Sequence, residues 1–248
     1  MIRKSRFLIL CGALAGFAPA HAAETMFHDD FESGFSSKWL SVGTDIEIVA
    51  DPGSPSNHVA AVPPGAQNAL HGPPVANGNW KGAIGKEAEL NAWADYELSF
   101  RYRLEKAENR PDAGPGHAAA FLRVGTRINP VEENPQEQRL IYLGIWRNAL
   151  EWRIKTPLIP WYGKDEPMEF PVEIRSGKVD SGWHEVRVVN QGERTEVYFD
   201  GTLKYAGSDD RAMRGGFNLL RWSDARLDVG MLYIDDVKVT RIESPSKE

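Results

Sequence analysis

A strict alternation of apolar and polar residues constrains the fold of this chain more than any other feature. Every second residue of 96–104 is apolar, and similar alternation recurs in 141–146, 185–189 and 196–199. Because successive side chains of a β-strand point to opposite faces of a sheet, a period of two predicts a strand with two unlike faces. The chain is therefore predicted to consist of many such strands.

Gly- and Pro-containing turn signals separate the alternating segments. They are Asp51-Pro52-Gly53, Pro63-Pro64-Gly65, Gly72-Pro73-Pro74, Asn77-Gly78 and Asp200-Gly201. No segment of twelve residues has the spacing of an amphipathic helix, and no fixed-period repeat occurs. Many short strands joined by such turns predict an all-β sandwich or barrel. Residues 105–116 and 156–171 are predicted to be long loops.

Composition narrows the class of protein further. The chain has 248 residues, of which 42% are hydrophobic and 10% aromatic, enough for a sizeable core and unlike a disordered chain,. A net charge of −6 argues against binding nucleic acid through bulk charge,. A single cysteine excludes a disulfide framework and any site with several cysteine ligands,.

The first 22 residues have the three parts of a secretory signal. Three basic residues lie among the first six, an apolar run covers 7–18, and Ala20-His21-Ala22 places small residues at a cleavage site,. The apolar run is about half the ~20 residues that span a bilayer. We predict cleavage after Ala22, loss of Cys11 with the signal, and export to the periplasm or the exterior. Residues 23–248 are predicted to form a single domain.

Several motifs together resemble the concanavalin A-like lectin and glucanase superfamily, including laminin G-like modules. They are Asp29–Gly34 with Trp39, Gly182–Val188, Glu196–Gly201 and Tyr233–Val239. Residues 91–103 and Phe121-Leu122-Arg123 also resemble the related 3-keto-disaccharide hydrolase-like family, although the Asn-Ser-Gly between those two segments is absent. The resemblance implies a jelly-roll sandwich of two antiparallel sheets, often with a glycan on the concave face. It does not imply catalysis, because this fold carries many functions.

Acidic residues near both ends of the domain suggest a metal site. Asp29, Asp30 and Glu32 lie near the start, and Asp235 and Asp236 lie near the end. In a jelly roll the first and last strands often lie side by side, and calcium accepts 6–8 oxygen ligands in irregular geometry. We therefore predict a structural calcium site formed by Asp30, Glu32, Asp235 and Asp236. The alternative is that these residues cap turns or face water.

The middle of the chain combines arginines with aromatic residues. If Leu122, Val124, Ile141, Leu143, Ile145, Leu150, Trp152 and Ile154 face the core, then Arg123, Tyr142, Trp146 and Arg153 share the outer face of one sheet. Aromatic rings stack on sugars, and a guanidinium group binds hydroxyls or carboxylates at two points. These four residues, with Trp161 as a rim, are the predicted ligand-binding residues. The alternative is an ordinary solvated face with cross-strand aromatic pairs.

Three functions follow from these residues. The first is an exported protein that binds a polysaccharide or oligosaccharide without an organic cofactor. The second is a polysaccharide lyase or glycoside hydrolase, for which Tyr142, His117 and Arg123 are the candidate catalytic residues. The Glu-x-Asp-x-x-Glu pattern of the superfamily's glucanases is absent from the sequence,. The third is a non-enzymatic laminin G-like adhesion or structural module.

Overall fold

The computed structural model describes residues 24–39, 41–63, 69–71, 93–105, 108–109, 122–130, 138–145, 150–155, 181–208, 215–221, 227–228 and 230–243. It describes the backbone alone at 41, 69, 71, 108–109, 123, 128–130, 138–145, 150–155, 218, 220 and 227–228. The predicted signal, residues 1–22, and its cleavage site lie outside the described residues.

The described residues form sixteen strands. They are β1 (Thr25–Asp29), β2 (Ser41–Val42), β3 (Glu47–Asp51), β4 (Ser54–Val62), β5 (Ala69–His71), β6 (Tyr96–Leu104), β7 (Glu108–Asn109), β8 (Leu122–Pro130), β9 (Gln138–Ile145), β10 (Leu150–Lys155), β11 (Trp183–Gln191), β12 (Arg194–Phe199), β13 (Thr202–Ser208), β14 (Gly216–Arg221), β15 (Leu227–Asp228) and β16 (Leu232–Arg241).

The strands form two main antiparallel sheets. The eight-stranded sheet has the order β13-β12-β11-β6-β16-β4-β3, and β1 pairs with β16 beside it. The six-stranded sheet has the order β10-β9-β8-β14-β5-β2, and β7 pairs with β15 separately. The prediction of an all-β antiparallel fold is confirmed. The finer assignment to a concanavalin A-like jelly roll stays a prediction.

The core lies between the two main sheets. In β6 the five residues at alternate positions from Tyr96 to Leu104 are buried, whereas the four between them are half-buried. Phe27 of the eight-stranded sheet meets Phe217 of the six-stranded sheet edge to face, with ring centroids 5.3 Å apart. Leu122 and Val124 of β8 belong to the same apolar cluster. The two sheets are therefore the two layers of a β-sandwich.

Tyr96 links the two layers through polar contacts inside the core. Its hydroxyl donates to the Gly216 carbonyl at 3.2 Å and accepts the Arg127 backbone N–H at 2.8 Å. The buried Arg127 guanidinium donates to the Ala94 carbonyl at 2.9 Å. Burial raises the pKa of Tyr96 and lowers the pKa of Arg127, so the hydroxyl keeps its proton,. These bonds satisfy polar groups that would otherwise be costly to bury.

A bulge in β16 changes the neighbour of that strand. The first half of β16, from Leu232 to Ile234, pairs with β4, and the second half pairs with β1. The register shifts between Asp235 and Lys238, and Asp236 lies there with a φ of 51°. The first and last described strands, β1 and β16, therefore lie side by side, as we expect from the sequence.

Two local features test the sequence predictions at the level of turns and loops. Asp200 and Gly201 have φ values of 47° and 71° between β12 and β13, as a type I′ hairpin turn requires,. Within the predicted loop 105–116, the structure instead places the two-residue strand β7. Two residues are too few to show a period of two, so the alternation cannot reveal it.

The described part of the chain contains no helix that could cross a membrane.

Candidate functional site

A polar pocket lies on the outer face of the eight-stranded sheet, the face opposite the core. Its volume is about 390 Å³, within the range of small-molecule sites,. It is lined by Asp51, Gly53, Ser54, Asn57, Arg101, Arg103 and Trp183. These residues come from the β3–β4 hairpin, from the polar positions of β6 and from the first position of β11.

Strand register brings the β6 and β11 residues together. Arg103 of β6 is paired with Trp183 of β11 on one side and with Tyr233 of β16 on the other. One step along the same face, Arg101 is paired with Asp235. The turn between β3 and β4 contacts Arg103 and Trp183, so it folds across the outer face and closes one side of the pocket.

Asp51 holds this side of the pocket together. Its carboxylate accepts the Gly53 backbone N–H at 2.8 Å, an Arg103 Nη1–H at 3.4 Å and the Trp183 Nε1–H at 3.3 Å. Asp51 is only 4% exposed, so these three donors replace the water that its charge would need,. A Cβ atom on Gly53 would lie 3.1 Å from Arg103 Nη1, so a side chain at this position would require the guanidinium to shift by a few tenths of an ångström.

Arg101 forms the opposite wall. Its guanidinium lies over the Trp183 ring at 4.8 Å from the centroid, which is cation–π geometry,. Its Nη1 atom lies 3.1 Å from Asp236 Oδ2 and 3.6 Å from Asp235 Oδ2. The Arg101 side chain is 42% exposed, so it reaches the pocket while paired with carboxylates. It also occupies a face of Trp183, which therefore serves as a wall that positions Arg101.

Asp235 is a buried carboxylate behind the pocket. It is 1% exposed, accepts Asn57 Nδ2–H at 3.0 Å and accepts the Asp236 backbone N–H at 2.8 Å. Burial raises the pKa of Asp235, while the Asn57 hydrogen bond acts in the opposite direction,. Asn57 and Arg101 both line the pocket and both contact Asp235, so its protonation state bears on the pocket wall.

A second cluster of charged and aromatic residues lies further along the same face. The Arg187 guanidinium is 3.7 Å from the Tyr198 ring centroid and 2.9 Å from Glu97 Oε2. The Tyr198 hydroxyl donates to Glu196 Oε2 at 2.7 Å, and this bond lowers the pKa of Glu196 and raises the pKa of Tyr198. Arginine–carboxylate pairs thus recur across this face of the sheet.

The structure gives the predicted calcium ligands protein partners. Asp30 accepts the Glu32 backbone N–H at 3.2 Å. Both oxygens of Glu32 contact His58, and these hydrogen bonds lower the pKa of Glu32. Asp235 accepts a hydrogen bond from Asn57, and Asp236 is paired with Arg101. Among the described residues, no group of three or more His, Cys, Asp and Glu side chains is arranged to hold a metal ion. The calcium site stays a prediction.

The predicted ligand-binding residues that the structure describes lie in the six-stranded sheet. By register Tyr142 is paired with both Gly125 and Arg153, and Arg123 is two residues from Gly125. Positions 123, 142 and 153 therefore share the face opposite the buried Leu122 and Val124, and their role in binding stays a prediction. The remaining predicted residues, Trp146, Trp161 and His117, lie outside the described residues.

The pocket itself was not predicted from the sequence. Alternation puts Arg101 and Arg103 on the polar face of β6, and Asp51 and Gly53 belong to a turn signal. What the sequence does not show is that this turn folds back across the sheet onto Trp183, which lies 132 positions from Asp51. The signal that the sequence does contain is the pair of arginines at alternate positions, which places two guanidinium groups on the polar face of β6.

No protein-family model and no curated protein matches this chain. Among solved structures, a carbohydrate-binding module from Bacillus subtilis is similar at 10% identity and a TM-score of 0.46, over 82% of this chain and 95% of that one. Domain 4 of an extracellular arabinanase from Geobacillus stearothermophilus, solved with arabinotriose, is similar at 13% identity and 0.49, over 88% and 93%. The Crh5 transglycosylase is similar at 10% and 0.47, over 89% and 84%. Since these TM-scores are below 0.5, the fold is assigned from the strands and their pairing.

Proposed function

We propose that this protein binds a glycan in the pocket between the β3–β4 turn and the outer face of the eight-stranded sheet. The observation that carries the proposal is the composition of the pocket wall. Guanidinium, amide and hydroxyl groups from four residues converge on about 390 Å³ beside one tryptophan. Ligand sites typically combine apolar walls with a few convergent polar groups, whereas here polar groups form most of the wall, which suits a ligand as rich in hydroxyls as a sugar,.

The wall offers hydrogen-bond donors in a fixed arrangement. A guanidinium group has five N–H donors, and among the described residues Arg103 uses donors for Asp51 and for the Ser181 carbonyl at 2.9 Å,. Arg101 uses Nη1 for its carboxylate partners. The remaining N–H groups, the Ser54 hydroxyl and the Asn57 amide suit the hydroxyls of a sugar. Because Asp51 and Trp183 already hold the arginines, little side-chain entropy is lost on binding.

The test is a glycan array followed by calorimetry on the bound glycans with a variant that fills the pocket. Ser54 is an exposed lining residue at the start of β4, where an aromatic residue suits a strand,. We expect Ser54→Trp to weaken binding by more than about tenfold, or ~1.4 kcal/mol, because the indole occupies the ligand's volume.

The matched control places the same residue at the far edge of the same sheet. Thr202 is an exposed residue at the start of β13, and Thr202→Trp should bind like the parent protein. An array without bound glycans, or equal affinities for the two tryptophan variants and the parent, contradicts the proposal.

A second candidate function is a polysaccharide lyase on the six-stranded sheet. The observation that favours it is the shared face of positions 123, 142 and 153, which supplies two arginines and a tyrosine. An arginine could neutralise a uronate carboxylate while a tyrosine moves a proton. The lyase reaction forms an unsaturated product that absorbs at about 235 nm, so polyuronate digestion followed at that wavelength tests it. Activity that Arg123→Ala abolishes supports this function, and absence of a signal excludes it for the uronates tested.

A further inference from the structure

We infer that the outer face of the eight-stranded sheet recognises a neutral glycan and discriminates against uronates and sulfated sugars. This inference rests on the proposed glycan binding and adds the class of ligand. It comes from the way in which the arginines of this face are paired. A carboxylate is a strong hydrogen-bonding partner of a guanidinium group, so an arginine without a carboxylate partner in the protein would favour an acidic sugar.

Each arginine that faces the pocket already has a carboxylate. Arg103 has Asp51 at 3.4 Å, and Arg101 has Asp236 at 3.1 Å and Asp235 at 3.6 Å. Two guanidinium groups thus meet three carboxylates, so the described residues of the pocket wall carry no excess positive charge.

The same pairing extends along the sheet beyond the pocket. Arg187 has Glu97 at 2.9 Å, and Arg194 has Glu196 at 2.8 Å. A longer glycan that leaves the pocket along this face meets compensated arginines there as well.

An anionic sugar would have to displace one of these carboxylates or lie against it. Asp51 cannot turn away, because it is buried and holds the turn and Trp183. A second anion placed beside it would be repelled, because a buried carboxylate such as Asp51 interacts more strongly with a nearby charge than a fully solvated one does,. If the sugar took Arg103 away from Asp51, the buried Asp51 carboxylate would lose its charged partner, which is strongly unfavourable.

A neutral sugar meets no such obstacle. A hydroxyl group both donates and accepts, so neighbouring hydroxyls can accept from a guanidinium and donate to the carboxylate paired with it. The pairs whose carboxylates are accessible, Arg101 with Asp236 and Arg187 with Glu97, therefore match pairs of adjacent hydroxyls while both charges stay compensated. The carboxylates that are already paired with the arginines therefore favour neutral glycans over acidic ones.

The experiment compares neutral xylo-, arabino- and cello-oligosaccharides with oligogalacturonates and sulfated oligosaccharides on one array, at low and at high NaCl. We expect the parent protein to bind within the neutral set with little dependence on salt. The informative variant is Asp236→Asn, since asparagine tolerates the positive φ of this position and removes the closest carboxylate of Arg101,. It should bind oligogalacturonate about threefold to fivefold more tightly than the parent, and salt should suppress the gain.

The matched control is Glu185→Gln, which makes the same charge change beside Arg101 on the neighbouring strand. Glu185 is paired with Arg101 by register, yet among the described residues its carboxylate forms no ion pair. A gain in Asp236→Asn that Glu185→Gln lacks supports the inference. Tighter, salt-sensitive binding of oligogalacturonate or sulfated sugars by the parent overturns it and leaves glycan binding intact. An array on which the parent binds no glycan overturns the proposed function as well.

Discussion

At the scale of single residues, Asp51 is the residue on which the candidate site depends most. It is a buried carboxylate in a turn, and its three donors come from the turn itself, from β6 and from β11. Its role is to hold other side chains, because its lone pairs are engaged and it is nearly inaccessible. Arg103 and Trp183 therefore reach the pocket in positions that Asp51 determines.

We predict that Asp51→Asn weakens both folding and glycan binding. The amide keeps the size of the side chain but has one acceptor oxygen, so at least one buried donor loses its partner. The expected loss of unfolding free energy is about 1–3 kcal/mol, measured by urea denaturation. The exposed Asp45, whose carboxylate accepts a hydrogen bond from the Thr44 hydroxyl, is the control, and Asp45→Asn should be neutral. Equal stability of the two variants would show that Asp51 does not organise the turn.

Asp235 provides a prediction about pH. Burial raises the pKa of its carboxyl, so the folded state retains the proton longer than the unfolded state as pH rises,. Its contribution to stability therefore falls as pH rises from the ordinary aspartate value through the raised value. Asn57→Ala removes a hydrogen bond to the charged form and should raise the pKa further, measured by carbon-detected NMR titration. An unchanged or lower pKa in this variant would contradict the described contact.

At the scale of elements, the bulge in β16 shapes the site. Without it β4 could continue along β16, and the β3–β4 hairpin would extend the sheet at its edge. The bulge lets β1 take that place, and the hairpin turn instead contacts β6 and β11 across the outer face. The small apolar cluster of Val59, Ala61 and Tyr233, with Trp183 packed against it, lies on this side of the sheet.

The positive φ of Asp236 makes the bulge testable. A β-branched residue is strained in this conformation, so Asp236→Val should lower the unfolding free energy by about 1–2 kcal/mol,. Asp236→Asn should retain the parent's stability in the same thermal or urea melts, because asparagine adopts this conformation readily. If the valine variant is as stable as the asparagine variant, the bulge does not constrain the backbone at this position.

The elements differ in how far the sequence predicts them. Alternation identifies β6, β9, β11 and β12 because one face of each is apolar. It fails for β7, which has two residues and no period. It also assigns faces, but it cannot tell which strands become neighbours. The pocket arises from such neighbours, since Asp51, Arg103 and Trp183 are brought together only by register and by the folded-back turn.

At the scale of the whole molecule, the first and last described strands, β1 and β16, are paired with each other. The acidic residues near both ends make calcium a natural prediction, and the structure shows carboxylates that already have protein donors. Calcium bound to the native state would add about 2.7 kcal/mol at a hundredfold excess over its Kd. In that case a chelator lowers the thermal midpoint, and Glu32→Ala removes the sensitivity. If the hydrogen bonds from protein donors satisfy these carboxylates and no calcium binds, the melting curves with and without chelator coincide.

The central claim is that a glycan binds on the outer face of the eight-stranded sheet, beside the indole of Trp183. The most direct measurement is a ¹H–¹⁵N NMR titration of the full domain with the tightest neutral oligosaccharide from the array. We predict that the Trp183 Nε1–H resonance shifts, together with the amides of Gly53 and Asn57, and that Ser54→Trp abolishes these shifts. Shifts confined to the β8–β10 strands, around Arg123, Tyr142 and Arg153, would place the site on the six-stranded sheet and contradict the account.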